Sequence, residues 1–231
     1  FDHVLIDMNQ LLHISLRKSR SYEHGLVLMM KELDACLKMA SPRCSLVLAI
    51  DGPPAAAKLA TQRKRRLNPL TRAVNRKRQS ERLLNSNNKR VKSSLLRRKI
   101  RFAASELRTL AITPATDIMK KAESALEYWA WQRLLSRHNI LSLNNVSIHI
   151  SKSTVPGEGE VKLLEWFYSA ERNPNDTVAI IGGDSDLVLE ALTIPITKLR
   201  NVFVVLPEAG SVYRCVSVWE MTRTLHQQIT Y

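Results

Sequence analysis

Five short apolar runs, spread along the chain and mostly followed by acids, constrain the fold of this sequence more than any other feature. They are DHVLID (2 to 7), SLVLAID (45 to 51), VSIHIS (146 to 151), TVAIIGGDSD (177 to 186) and VFVVL (202 to 206). Runs that are apolar without alternation suit strands covered on both faces, as in a parallel sheet. The stretches between them read at a helical period: QLLHISLRK (10 to 18), GLVLMMKELDACLKM (25 to 39), TDIMKKAESALEYWAWQRLLS (116 to 136) and EVKLLEWFYSA (160 to 170). Thr116 is placed to cap the third of these. Strands alternating with helices predict an α/β fold, a mostly parallel central sheet flanked by helices with right-handed crossovers.

Ligands of open α/β sheets sit beyond the carboxyl ends of the strands, and this chain puts acids there. Asp7 and Asp51 end the first two runs, Glu158 and Glu160 follow the third, and Asp184 and Asp186 follow the fourth. Singly, each has an ordinary role, Asp51 as a turn residue before Gly52-Pro53-Pro54 and Asp184 or Asp186 as a helix cap. Six carboxylates at one sheet edge repel one another and raise each other's pKa unless a cation neutralises them. Magnesium takes hard oxygen ligands, and two ions roughly 3.5 to 4 Å apart clamp the attacking and leaving oxygens of a phosphoryl displacement. Five of the seven glycines (Gly52, Gly157, Gly159, Gly182 and Gly183) lie beside these acids, where the backbone has to turn tightly.

The charge is concentrated in one segment. The chain carries 35 Lys+Arg against 21 Asp+Glu, a net charge of +14. Between Lys58 and Arg101 stand 17 basic residues and one acid, Glu81, leaving the remainder almost neutral. Such density points to a polyanion, nucleic acid first, with a solvated basic tail as the plainer alternative. A helix is expected from Ala55 to about Leu84, broken or kinked at Pro69. Residues 85 to 99 (NSNNKRVKSSLLRRK) read as a mobile loop, and 68 to 108 as a basic, partly mobile insertion.

Three cysteines without a C-x-x-C pair suggest neither a disulfide framework nor a zinc site, and favour an intracellular reducing compartment. Nucleus or cytoplasm is expected, with mitochondrion or plastid as alternatives. No run approaches the roughly 18 to 20 apolar residues of a membrane span, and no signal peptide is recognised. Because Phe1 already lies in a strand pattern, the chain is expected to be part of a longer protein.

The segments LIDMNQLLH (5 to 13), LAIDGPPAAAKLATQRKRR (48 to 66), ITPATDIM (112 to 119), PGEGEVKLL (156 to 164) and IIGGDSDLVLEAL (180 to 192) resemble, in order, the N-terminal nuclease region of Xrn-type 5′-3′ exoribonucleases, within the PIN-like and flap-endonuclease superfamily. The resemblance implies a PIN-like three-layer fold and one nuclease domain over 1 to 231. It implies metal-dependent hydrolysis of single-stranded RNA from a 5′-monophosphate end to nucleoside monophosphates. Asp7, Asp51, Glu158, Glu160, Asp184 and Asp186 match the catalytic, metal-binding acids, the first four nearer one Mg2+ and the last two nearer a second, with Mn2+ as a substitute. Lys58, Gln62, Arg65 and Arg66 match the 5′-phosphate pocket. Their offsets of 4, 7 and 8 residues independently place them on one helix face. His13 matches a histidine that stacks on the terminal base. A seventh acid of the family, downstream of Asp186, has no match before Tyr231. The 68 to 108 segment matches poorly, and a ribonucleoprotein complex is expected as a further partner through it. Two other readings stand beside this one: a catalytically weak or inactive PIN-like RNA-binding subunit of such a complex, and a flap-type DNA endonuclease.

Overall fold

The computed structural model describes residues 1–85, 93–135, 143, 145–169, 173–183, 186–198, 200–207 and 213–229, without the side chains of 59–66, 68–69, 83–85, 93–96 and 196. The described residues form five parallel strands: β1 (His3–Asp7), β2 (Ser45–Ala49), β3 (Ser147–Ser151), β4 (Val178–Ile181) and β5 (Val202–Pro207). The sheet order is β3-β2-β1-β4-β5-β6, where β6 (Tyr213–Ser217) runs antiparallel to β5 at the edge. β6 was not expected from the sequence, because YRCVS is short and half-exposed and lacks the continuous apolar character of a central strand.

Helices cover both faces. α1 (Met8–Lys18), α2 (Tyr22–Met39) and α5 (Asp117–Leu135) pack Leu12, Leu33 and Met119 on the face presented by Val4 and Ile6 of β1. On the opposite face, Leu5 meets Leu163 of α6 (Gly159–Tyr168), Leu187 of α7 (Asp186–Ala191) and Val218 of α8 (Val218–Ile229). All five residues of β1 are buried because it lies inside the sheet under both helical layers. The result is the three-layer α/β architecture of PIN-like proteins.

The basic segment departs from its sequence reading. α3 (Ala56–Asn85) runs through Pro69 without ending, and α4 (Ser93–Leu110) returns alongside it. The lost backbone bond at a helical proline costs about 3 kcal/mol. Packing offsets it: small buried side chains, Ala73 and Ser80 on α3 and Ala103 and Ser105 on α4, permit a close seam, and Arg76 pairs with Glu106 at 3.2 Å. Residues 93–99, read as loop, are therefore helical; 86–92 lie outside the described residues. α4 is tied to the sheet domain by the Arg108 guanidinium, which donates to the Ser19 carbonyl at 2.5 Å.

Thr116 precedes α5, but its hydroxyl donates to the Ala111 and Thr113 carbonyls, and its own carbonyl accepts from Met119 and Lys120. Its backbone, more than its side chain, opens the helix. Cys36, Cys44 and Cys215 are free thiols, and burial pushes Cys36 up to about 11. No helix among the described residues is long and apolar enough to cross a membrane.

Candidate active site

The end of β1 turns directly into α1, and Asp7 makes that turn. Its carboxylate accepts the Asn9 N–H at 3.0 Å as a helix cap, and the residue is buried. Asn9 reaches back across the edge: its side-chain oxygen accepts the Asp51 N–H at 3.3 Å. Asp51, just beyond β2, accepts the Gly159 N–H at 2.6 Å, at the positive start of α6. The turns after β2 and β3 are joined by backbone bonds, from Gly52 N–H to the Gly157 carbonyl at 2.8 Å and from Gly157 N–H to the Pro53 carbonyl at 3.0 Å. This junction admits no side chain at position 52, where a Cβ would stand 1.7 Å from the Val155 carbonyl oxygen. Position 159 is also crowded: a Cβ there would lie 2.7 Å from Asp7 Oδ1 and 3.3 Å from Asp51 Oδ1. The G-E-G-E stretch thus uses its second glycine to let α6 begin against two carboxylates.

These elements enclose an open cleft of about 300 Å3 lined by Asp7, Asn9, Gln10, His13, Asp51, Glu158, Glu160 and Gly183. Four of the six acids named from the sequence are brought together there. Asp186 begins α7 and is exposed, apart from the residues lining the cleft. Asp184 lies outside the described residues. His13, exposed on α1, borders the cleft. Lys58, in the first turn of α3, reaches Glu158 at 2.7 Å. Positions 62, 65 and 66 follow on the same side of α3, their side chains being outside the description.

Residues 1–208 match the family model for the XRN 5'-3' exonuclease N-terminus. The chain belongs to this family. Among curated proteins it is 30% identical over 202 residues to 5'-3' exoribonuclease 2 of Saccharomyces cerevisiae, covering 83% of this chain and 19% of the yeast protein. It is 31% identical over 200 residues to 5'-3' exoribonuclease 2 of Candida albicans, covering 83% and 20%. To that of Neurospora crassa it is 28% identical over 205 residues, covering 83% and 19%. The chain spans about a fifth of the length of these relatives.

Within this XRN-family region the electrostatics follow from burial. Burial pushes the Asp51 carboxyl above its ordinary range and the charge of Glu158 adds to that; the Gly159 N–H, Lys162 and Asn9 pull it back. Lys58 is raised by its hydrogen bond to Glu158 and by that residue's charge. Among the described residues no three His, Cys, Asp or Glu side chains converge closely enough to hold a metal ion as they stand. The donor set itself fits Mg2+: four carboxylates, hard oxygen donors throughout, facing one cleft.

Sequence reasoning missed Asn9 and Gln10 as cleft residues. Their signal was available, since they stand two and three residues after a strand-ending acid in the stretch DMNQ, in the first turn of a helix that begins at the sheet edge.

Proposed function

We propose that this XRN-family region holds the centre of a metal-dependent 5′-3′ exoribonuclease that hydrolyses single-stranded RNA from a 5′-monophosphate end to nucleoside monophosphates. The observation that carries the reading is the convergence of Asp7, Asp51, Glu158 and Glu160 on one cleft from three separate chain segments. These four residues, completed by Asp184 and Asp186, would hold Mg2+, two ions in all, with Mn2+ as a substitute. When bound, the metal supplies Lewis-acid stabilisation of the charge developing on the phosphodiester oxygens.

The remaining steps belong to the chain's own residues. Lys58 stands at the cleft rim through its contact with Glu158, so the start of α3 reaches the carboxylates. Lys58, Gln62, Arg65 and Arg66 would seat the terminal monophosphate, a compact dianion suited to a fixed set of charged donors. His13 would stack on the first base. Water adds to the phosphorus of the second nucleotide and the 3′ oxygen of the first leaves, taking up a proton. The RNA left behind again ends in a 5′-monophosphate, so one pocket serves each successive end.

The test uses the full-length protein with 5′-monophosphate, 5′-triphosphate and 5′-hydroxyl RNA and with flap DNA, each in Mg2+ or in EDTA. Selective, Mg2+-dependent release of mononucleotides from 5′-monophosphate RNA is expected, and Glu160→Gln should lower kcat by about 10²–10³. RNA binding without turnover in the wild-type protein would refute the catalytic reading in favour of a binding module. Preferred cleavage of flap DNA would refute the substrate assignment.

A further inference from the structure

We infer that Lys162, a residue of α6 outside the carboxylate set, is a positioning residue for Asp51, its buried ammonium pinning the ends of β2 and β3 so that Asp51 is held against the start of α6. The inference rests on the reading of Asp51 as a metal-holding carboxylate.

Lys162 is only 4% exposed. Its Nζ donates to the Ile50 carbonyl at 2.7 Å and to the Lys152 carbonyl at 2.9 Å. Ile50 immediately precedes Asp51, and Lys152 immediately follows β3. Both carbonyls lie beyond the last β2–β3 register pair, Ala49 with Ser151. The ammonium therefore bridges the two strands at the point where their ladder stops and the acid-bearing turns begin. It also underlies both turns: a Cβ at Gly52 would stand 3.1 Å from Nζ, and one at Gly157 would stand 3.6 Å from Lys162 Cγ.

A lysine is a costly way to fill a seam. Two carbonyl dipoles satisfy donors but do not neutralise a full charge, and a buried charge is retained only when opposite charges face it. Burial pushes the Lys162 ammonium below its ordinary range, and the charges of Asp51, Glu123 and Glu165 act against that shift. Glu123, on α5 and 8% exposed, accepts the Ser153 N–H at 2.7 Å. It thus holds residue 153 while Lys162 holds residue 152, from the other side of the same turn. A methionine would fill the seam without the cost of burying a charge. The ammonium supplies what methionine lacks, a fixed countercharge beside Asp51 and a clamp on the residue before it.

The experiment measures two quantities in the full-length protein for Lys162→Met and Glu123→Gln. One is amide hydrogen exchange at Gly159 in metal-free protein, compared with α2; the other is Mn2+ affinity by electron paramagnetic resonance titration. In Lys162→Met, Gly159 should exchange about tenfold faster with α2 unchanged, and Mn2+ should bind about 10- to 100-fold more weakly. kcat should fall while KM for RNA holds. Glu123→Gln keeps an acceptor for Ser153 but removes a charge facing Lys162, and should show the same changes to a smaller degree. Gly159 exchange and Mn2+ affinity both within about twofold of wild type, or tighter Mn2+ binding, would overturn the inference and leave Lys162 as a plug in the seam. If Lys162→Met does not fold, Glu123→Gln decides by the same readouts. If wild-type protein binds no Mn2+, the metal reading fails, and Gly159 exchange alone decides the role of the lysine.

Discussion

A methyl group added at residue 159 would collide with Asp7 and Asp51 while leaving every carboxylate in the chain. Gly159→Ala therefore separates placement from composition. Misplacing a reacting group by about 1 Å costs on the order of 10²-fold in rate, and a loss of that size in single-turnover RNA cleavage is expected. Asp51 allows a second prediction because its folded pKa is raised, chiefly by burial, above the ordinary 3.8. Below that value the carboxyl is protonated whether the protein is folded or unfolded, so it contributes nothing to the pH dependence. As pH rises through the raised folded value, ionisation costs the folded state more than the unfolded state, so stability is lost toward neutral pH. Asp51→Asn removes that loss. Metal-free protein should then melt at higher temperature at pH 7 and change little in acid, while Mg2+-dependent cleavage disappears. Thermal scans of both proteins across pH check the first part, and RNA cleavage the second.

The paired helices α3 and α4 present a charged surface at the element scale. Arg97, Arg98, Lys99 and Arg101 on α4 are exposed, and Phe102, 56% exposed, is the only aromatic between residues 68 and 108. Such a surface grips phosphates without stacking bases. Replacing those four residues by Gln should shallow the slope of log affinity for single-stranded RNA against log salt by roughly 3, at about 0.7 per phosphate contact. An unchanged slope would show that these charges face only water. This pair of helices was also where the sequence was least legible. In SSLLRRK (93 to 99) the basic and serine content suggested a loop, although Ile100, Ala103 and Leu107, just beyond it, keep a helical spacing. Pro69 signalled a break because sequence shows the lost hydrogen bond but not the neighbouring helix that compensates for it. The central strands were legible because burial on both faces leaves an unmistakable apolar run. Lys162 was not: in EVKLLEW it reads as one more solvent-facing lysine of an amphipathic helix, and only the β2–β3 seam reveals its burial.

For the whole molecule, strand order explains why four acids meet. β1 lies between β2 and β4, and the segments after β1, β2 and β3 converge beside it. Asp7 and Asp51 were readable because each directly ends a run; the pairing of Lys58 with Glu158 was not, since it joins residues 100 positions apart. A site shared among segments couples ligand binding to the fold. If Mg2+ binds only the assembled cleft, a concentration of 100 Kd should stabilise the protein by about 2.7 kcal/mol. Glu160→Gln should lose most of that gain, and denaturant melts with and without Mg2+ measure it.

The central place of β1 also governs how the protein is made. His3 pairs with Ser45 on one side but with Val178 on the other, so one edge of β1 waits for a partner synthesised much later than β2. At about 5–20 residues per second, the interval between β2 and β4 leaving the ribosome is roughly 6–26 s. Until β4 is made, that edge of β1 has no partner strand, and the nascent chain lacks the segment that carries Asp184 and Asp186. If the proposed RNA-cleaving centre is divided in this way, it stays inert beside the message that encodes it until Asp184 and Asp186 have been translated.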